Sequence, residues 1–255
     1  MRLEGFNNLT KSLSFNIYDI CYARSPASQI EYLEYIDKEY DSDRLRAIIE
    51  EVTSIIGAKL VHLTTQDYAP RGASVVALLN EDHPVLGPSG LLSPGDASLV
   101  GHLDKSHITA HTYPEFDTST GLATFRVDID VSTCGLIGPL RALRYLIDSF
   151  DSDVVIIDYR VRGFTRDTKG HKVFIDHDIN SIQDFIDDEV LSEYIVYDIN
   201  ILSDYIYLTK MRKKEIRLKD YLFGPEIDLL EPEERKRIKE LLRKEMQEIF
   251  ECETF

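Results

Sequence analysis

Between residues 59 and 135 the chain alternates apolar and polar side chains in four runs: KLVHLTTQDY (59–68), ASVVALLNE (73–81), SHITAHTYPE (106–115) and GLATFRVDIDVSTCG (121–135). A period of two puts successive side chains on opposite faces, so each run reads as a strand with one buried face. The first two are joined by APRG, a Pro/Gly turn suited to a hairpin. Strands linked so closely can pair only antiparallel. DSDVVIIDYRVRGFTRD (151–167) adds a further strand.

Around these runs, DSDRLRAIIEEVTSIIGA (41–58) places Leu45, Ile48, Ile49, Val52, Ile55 and Ile56 at helical spacing, with Gly57 as a stop. GPLRALRYLIDSF (138–150) carries Leu140, Leu143, Leu146 and Ile147 on one face. The order predicts an α+β two-layer sandwich, a mostly antiparallel sheet with helices on one face. Residues 1–167 form the expected core. Residues 168–255 read as a C-terminal α/β extension packed on it, with a basic strand at 210–219 and a charged helix at 231–250 whose apolar stripe is Ile238, Leu241, Leu242 and Ile249. HPVLGPSGLLSPGDASLVG (83–101) reads as a long loop leading to SHITAHTYPE, and long loops in compact domains are often functional.

With 255 residues and 43% hydrophobic content the chain can bury a core. Asp and Glu outnumber Lys and Arg by 45 to 29, a net charge of −16 that disfavours nucleic acid and anionic membranes as partners. No apolar run approaches a membrane span and MRLEGFNNLTKSLSF lacks the order of a secretory signal, so the expected location is cytoplasmic. Cys21, Cys134 and Cys252 contain no CxxC pair, which argues for thiols rather than a disulfide framework or a zinc-cysteine site.

GHLDKSHITAHTYPE (101–115) concentrates reactive side chains at a loop-to-strand junction, and the residues alone leave three readings open. Ser106 as a hydrolase nucleophile lacks a GxSxG elbow. His107 and His111 share a strand face with Asp104 nearby, a partial metal set without a further ligand at matching spacing. The third reading is a hydrogen-bonded patch on a half-exposed sheet.

Several stretches in one order resolve the choice. GFNNLTKSLSFNIYDICYA (5–23), QDYAPRGASV (66–75), HLDKSHITAHTYPE (102–115), DIDVSTCGLIGPLRAL (128–143), DYRVRGFTRD (158–167) and FIDHDINSIQDF (174–185) resemble bacterial S-adenosylmethionine decarboxylase proenzymes of the longer subgroup. The resemblance implies self-cleavage between Lys105 and Ser106, giving a β chain (1–105) and an α chain (106–255), with Ser106 becoming a pyruvoyl group. It implies His111 as processing base, Ser74 as processing support, and Cys134 as the acid that protonates the product carbon. It places an adenine-stacking ring near Tyr68 and a ribose-binding carboxylate at Glu115, and points more weakly to Asp19. The substrate would be S-adenosylmethionine and the product would serve spermidine synthesis; the alternatives are a pyruvoyl decarboxylase of arginine or ornithine, or an unprocessed homologue acting as a binding partner. Assembly of αβ units into a homo-oligomer and activation by magnesium are subgroup expectations. No metal-ligand spacing locates such an ion, and the acidic Asp176, Asp178, Asp187 and Asp188 read first as a solvated face.

Overall fold

The computed structural model describes residues 7–69, 71–80, 106–224 and 230–254. Its centre is an eight-stranded sheet formed by β1 (Thr10–Tyr22), β2 (Lys59–Asp67), β3 (Ala73–Asn80), β4 (Ser106–Phe116), β5 (Leu122–Cys134), β6 (Val154–Arg162), β9 (Tyr194–Ile201) and β10 (Ile206–Lys213). The two-residue strands β7 (Thr165–Arg166) and β8 (Lys172–Val173) make a separate hairpin. The large sheet runs β2-β3-β4-β5-β1-β6-β10-β9, with every neighbouring pair antiparallel.

The four alternating runs pair consecutively, β2 with β3, β3 with β4 and β4 with β5. β1 lies at the centre of the sheet: TKSLSFNIYDICY alternates Leu13, Phe15 and Ile17 with Ser12, Ser14 and Asn16, and the apolar set is fully buried. Its register, Thr10 opposite Cys134 on one side and Arg162 on the other, brings the N-terminal stretch against the end of β5. After residue 168, β10 pairs with β6 and β9 with β10, so the later chain continues the same sheet. The expected loop over 83–101 lies outside the described residues.

Helices α1 (Pro26–Glu39), α2 (Ser42–Ile55) and α3 (Leu143–Asp148) cover one face. Ser25 and Asp41 cap α1 and α2 through their side-chain oxygens, satisfying backbone donors that would otherwise be orphaned. Leu45, Ile48, Ile49 and Val52 of α2 bury the expected stripe against Ala73, Val75, Ala77, Ile108 and Ala110 of β3 and β4. Over 138–150 the expected helix is a 3-10 turn (Pro139–Ala142) followed by α3. The short α4 (Asp188–Glu193) leads into β9.

The long α5 (Pro232–Glu251) adds a partial third layer on the opposite face. Ile238, Leu242, Met246 and Phe250 pack on Ile20, Tyr22 and Val154, the outward row at one end of β1 and β6. At the other end this face carries a hollow of about 520 Å³ lined by Ser12, Ser14, His107, Asp130, Ser132 and Arg160 among others.

Candidate active site

The strand parity of β4 divides the candidate residues. Ser106, Ile108, Ala110 and Thr112 point into the helix-covered core, whereas His107, Thr109, His111, Tyr113 and Glu115 occupy the opposite face. Ser106 begins the strand and is 1% exposed. The backbone N–H of Cys134, the last residue of β5, donates to its Oγ at 3.3 Å. The Cys134 side chain lies on the outward row of β5, with Sγ 3.9 Å from Thr10 Oγ1. Ser106 and Cys134 thus meet at one corner of the sheet, and Gly135, with φ +67°, turns the chain away. The carbonyl-bearing Lys105, and Asp104, lie outside the described residues.

A second group assembles further along β4. Ser74 of β3 pairs with His111 in register, on the same outward face. The Tyr68 hydroxyl reaches His111 Nδ1 at 3.4 Å. The turn between β2 and β3 holds both in place: Gly72, with φ +97°, accepts from the Tyr68 N–H at 2.7 Å and donates to Asp37 Oδ1 at 2.7 Å. Ala73 N–H donates to Thr112 Oγ1 at 2.7 Å, tying the turn to β4. Beyond His111, Tyr113 lies under the Arg126 guanidinium at 5.0 Å, and Arg126 is ion-paired with Asp128. Glu115 is exposed, opposite Thr124.

The two groups do not meet within one chain. Ser106 and His111 are five residues apart along one strand, on the order of 16 Å at ~3.3 Å per residue, and their side chains leave opposite faces. The same spacing separates His107 from His111 by about 13 Å, too far for one ion. Among the described residues no group of three or more His, Cys, Asp or Glu side chains could hold a metal. Asp176, one of the acidic residues considered for magnesium, is committed to Lys11, Asn7 and His177, and Asp187 pairs with Arg144. The residues present therefore do not fit a magnesium site there.

Asp19 lies away from both groups, at the far end of β1. It lines a cavity of about 350 Å³ with Asp151, Asp153, Lys213 and Tyr221. Burial, then the neighbouring Asp153 and Asp151 carboxylates, push its carboxyl well above the ordinary range. Burial likewise raises Asp153 to about 6, although Tyr221 and the Ile20 N–H hydrogen-bond to it.

Thr10, Lys11, Asp176 and His177 are contacts of this corner that local patterning does not disclose. Their signal is membership of two matching stretches, GFNNLTKSLSF and FIDHDINSIQDF, which the structure brings together.

The chain belongs to the S-adenosylmethionine decarboxylase family, which it matches over residues 31–163. Curated relatives extend the similarity along the whole chain. The S-adenosylmethionine decarboxylase proenzyme of Clostridium botulinum (strain Eklund 17B / Type B) is 53% identical over 259 residues, covering 98% of this chain and 95% of that one. Proenzymes of Hahella chejuensis and Alkalilimnicola ehrlichii are 55% and 53% identical, over 98% and 97% of this chain and 96% and 93% of theirs.

Proposed function

We propose that this chain is a proenzyme that cuts itself at Lys105–Ser106 and then decarboxylates S-adenosylmethionine, supplying the aminopropyl donor for spermidine synthesis. The observation that carries this reading is the contact of Ser106 Oγ with the Cys134 amide, which brings the serine that must react and the cysteine that must protonate to one corner.

In maturation, Ser106 Oγ attacks the Lys105 carbonyl and the peptide becomes an ester. The Cys134 N–H fixes that oxygen. A base then takes the Ser106 Cα proton, and the Lys105 carboxylate leaves as the new C-terminus of the 1–105 chain. The remaining dehydroalanine tautomerises, and water displaces ammonia to leave a pyruvoyl group at position 106. No encoded side chain offers an equivalent electron sink, which decarboxylation of an amino acid needs.

His111 is the base we assign, with Ser74 beside it. Because one chain holds His111 on the order of 16 Å from Ser106, we assign the reaction to a homo-oligomer of αβ units, in which the outward face of one copy presents His111 to the Ser106 corner of another. The part of that face left open by α5 carries His111, Ser74 and Cys134 together. During turnover Cys134 delivers a proton to the product carbon. Tyr68 offers a ring for adenine and Glu115 a carboxylate for the ribose hydroxyls, and the net acidic surface suits a sulfonium cation. Among the described residues no helix is long and apolar enough to cross a membrane, and we assign the cytoplasm as its place of work.

Intact mass of the purified protein tests the reading. The expected result is two chains, 1–105 and 106–255, the second with a pyruvoyl N-terminus, while Ser106→Ala stays whole. A folded wild-type chain that remains uncut on prolonged incubation would overturn it. Labelled carbon dioxide should be released from S-adenosylmethionine and not from arginine or ornithine; the reverse would move the enzyme to another substrate.

A further inference from the structure

Three of the matching stretches, GFNNLTKSLSF, STCG and FIDHDINSIQDF, converge beneath the sheet on one lysine. Lys11 occupies the core-facing row of β1, next to Leu13 and Phe15, and is 2% exposed. Its Nζ donates to the Gly135 carbonyl at 2.8 Å and to Asp176 Oδ2 at 2.8 Å. Asn7 Nδ2 donates to the same carboxylate oxygen at 2.8 Å, and Asp176 Oδ1 takes His177 Nδ1 at 2.8 Å. With Nδ1 donating, His177 Nε2 accepts from the Tyr159 hydroxyl at 3.0 Å.

The other side of Gly135 is held as well. Its N–H donates to the Leu9 carbonyl at 3.1 Å, and the Leu9 N–H donates to Asn7 Oδ1 at 3.1 Å. One peptide plane contains the Cys134 carbonyl and the Gly135 N–H, so the Leu9 contact fixes the orientation in which Cys134 leaves β5. The Lys11 contact fixes the next plane. Glycine at φ +67° would otherwise give this turn the widest conformational freedom of any residue.

Fold stability alone does not account for a cation here. A buried ion pair gives back little more than its desolvation cost, and an apolar side chain of similar volume in that row would serve the core as well or better. What the ammonium supplies is direction, because it is held by a carboxylate and aimed at a single carbonyl one residue beyond Cys134.

We propose that Lys11, oriented by Asp176 and His177, is a positioning residue for both reactions: through the Gly135 carbonyl it sets the Cys134 amide against Ser106 Oγ and the Cys134 thiol against the substrate. It touches neither reacting centre. This rests on the function proposed above.

The test uses the full chain as wild type, Lys11→Arg, His177→Gln and the double variant Lys11→Met with Asp176→Asn, which leaves no lone buried charge. Self-cleavage is followed by denaturing gel, and kcat and KM are measured on the cut enzyme. Alkylation of Cys134 by iodoacetamide is compared with that of exposed Cys252 in Ser106→Ala chains. The expected double variant folds by circular dichroism, cuts about ten- to a hundredfold more slowly, the order of loss that small misplacements inflict, and loses kcat with KM unchanged. Its Cys134 alkylation rate changes while that of Cys252 does not, and Lys11→Arg recovers part of both. A folded double variant that cuts and turns over within about twofold of wild type, or whose losses follow thermal stability and move kcat and KM together, would overturn the proposal. Should the double variant not fold, His177→Gln decides by the same readouts with a loss of a few-fold, about 1 kcal/mol for one hydrogen bond removed. A wild type that never cuts would sink the function instead, and alkylation at Cys134 would still decide the positioning.

Discussion

Cys134 has a division of labour within one residue: its amide holds Ser106 Oγ and its thiol faces outward. Replacing the side chain leaves the amide in place. Cys134→Ala should therefore still cut itself, while kcat of the cut enzyme falls about 10²- to 10⁴-fold, the range for a lost general acid; equal losses in both steps would contradict this assignment. Gly72 is constrained by space as well as by φ, since a Cβ there would meet the Thr112 carbonyl oxygen at 2.8 Å. Gly72→Ala should destabilise the fold by about 2 kcal/mol or more, read from urea melts in the Ser106→Ala background. Asp153 carries a pH signature: its pKa rises from 3.8 to about 6, so the folded state holds its proton more tightly than the unfolded chain. The associated stability is full below pH 3.8 and is lost as pH rises through 6. Asp176 runs the other way. Burial would raise it, but His177 and Lys11 hold it far below the ordinary range, so its contribution is present above the usual carboxylate pKa and is lost only in strong acid. Melts of Ser106→Ala against pH should show the decline between pH 4 and 6 flattened by Asp153→Asn; an unchanged slope would rule out Asp153 as its source.

β4 shows what a single sequence discloses at the scale of an element. SHITAHTYPE alternates so regularly that its strand state and the opposite facing of Ser106 and His111 both follow from counting residues. The consequence for processing follows too, and it is testable by co-expression. A His111→Ala chain retains Ser106, a Ser106→Ala chain retains His111, and neither should be cut alone. Together, the His111→Ala chain should be cut, and failure of rescue in co-purifying oligomers would return His111 to its own chain. Other features were closed to pattern reading. The alternation of β1 is visible at Leu13, Phe15 and Ile17, but nothing local says that residue 10 will face both 134 and 162. Counting by twos from Leu13 puts Lys11 on the inward row, where its charge argues against burial, and only its partner 165 positions away explains how a lysine is accommodated there. The stripe of α5 was legible at Ile238 and Leu242, whereas the sheet face that receives it depends on Ile20, Tyr22 and Val154, apolar residues scattered over the outward rows of two strands.

For the molecule as a whole, the position of the cut matters as much as its chemistry. Cleavage before Ser106 would give β1, α1, α2, β2 and β3 to one chain and the remaining elements to the other. The chains would not lie side by side: β1 sits between β5 and β6, and β3 pairs with β4, so three seams of the sheet become contacts between chains. Holding them together costs nothing new, because every one of those hydrogen bonds already exists. Regaining them after denaturation is another matter, since a one-chain search becomes an encounter of two incomplete chains. Ser106→Ala should recover from guanidinium largely independently of protein concentration, and the cut enzyme should recover less and only with rising concentration; equal recovery would contradict the interleaved arrangement. The central place of β1 would therefore make cleavage before Ser106 irreversible in a sense beyond the broken bond. A molecule cut at that bond would have given up the route by which it folded, and the supply of working sites would then be set by fresh synthesis and not by repair.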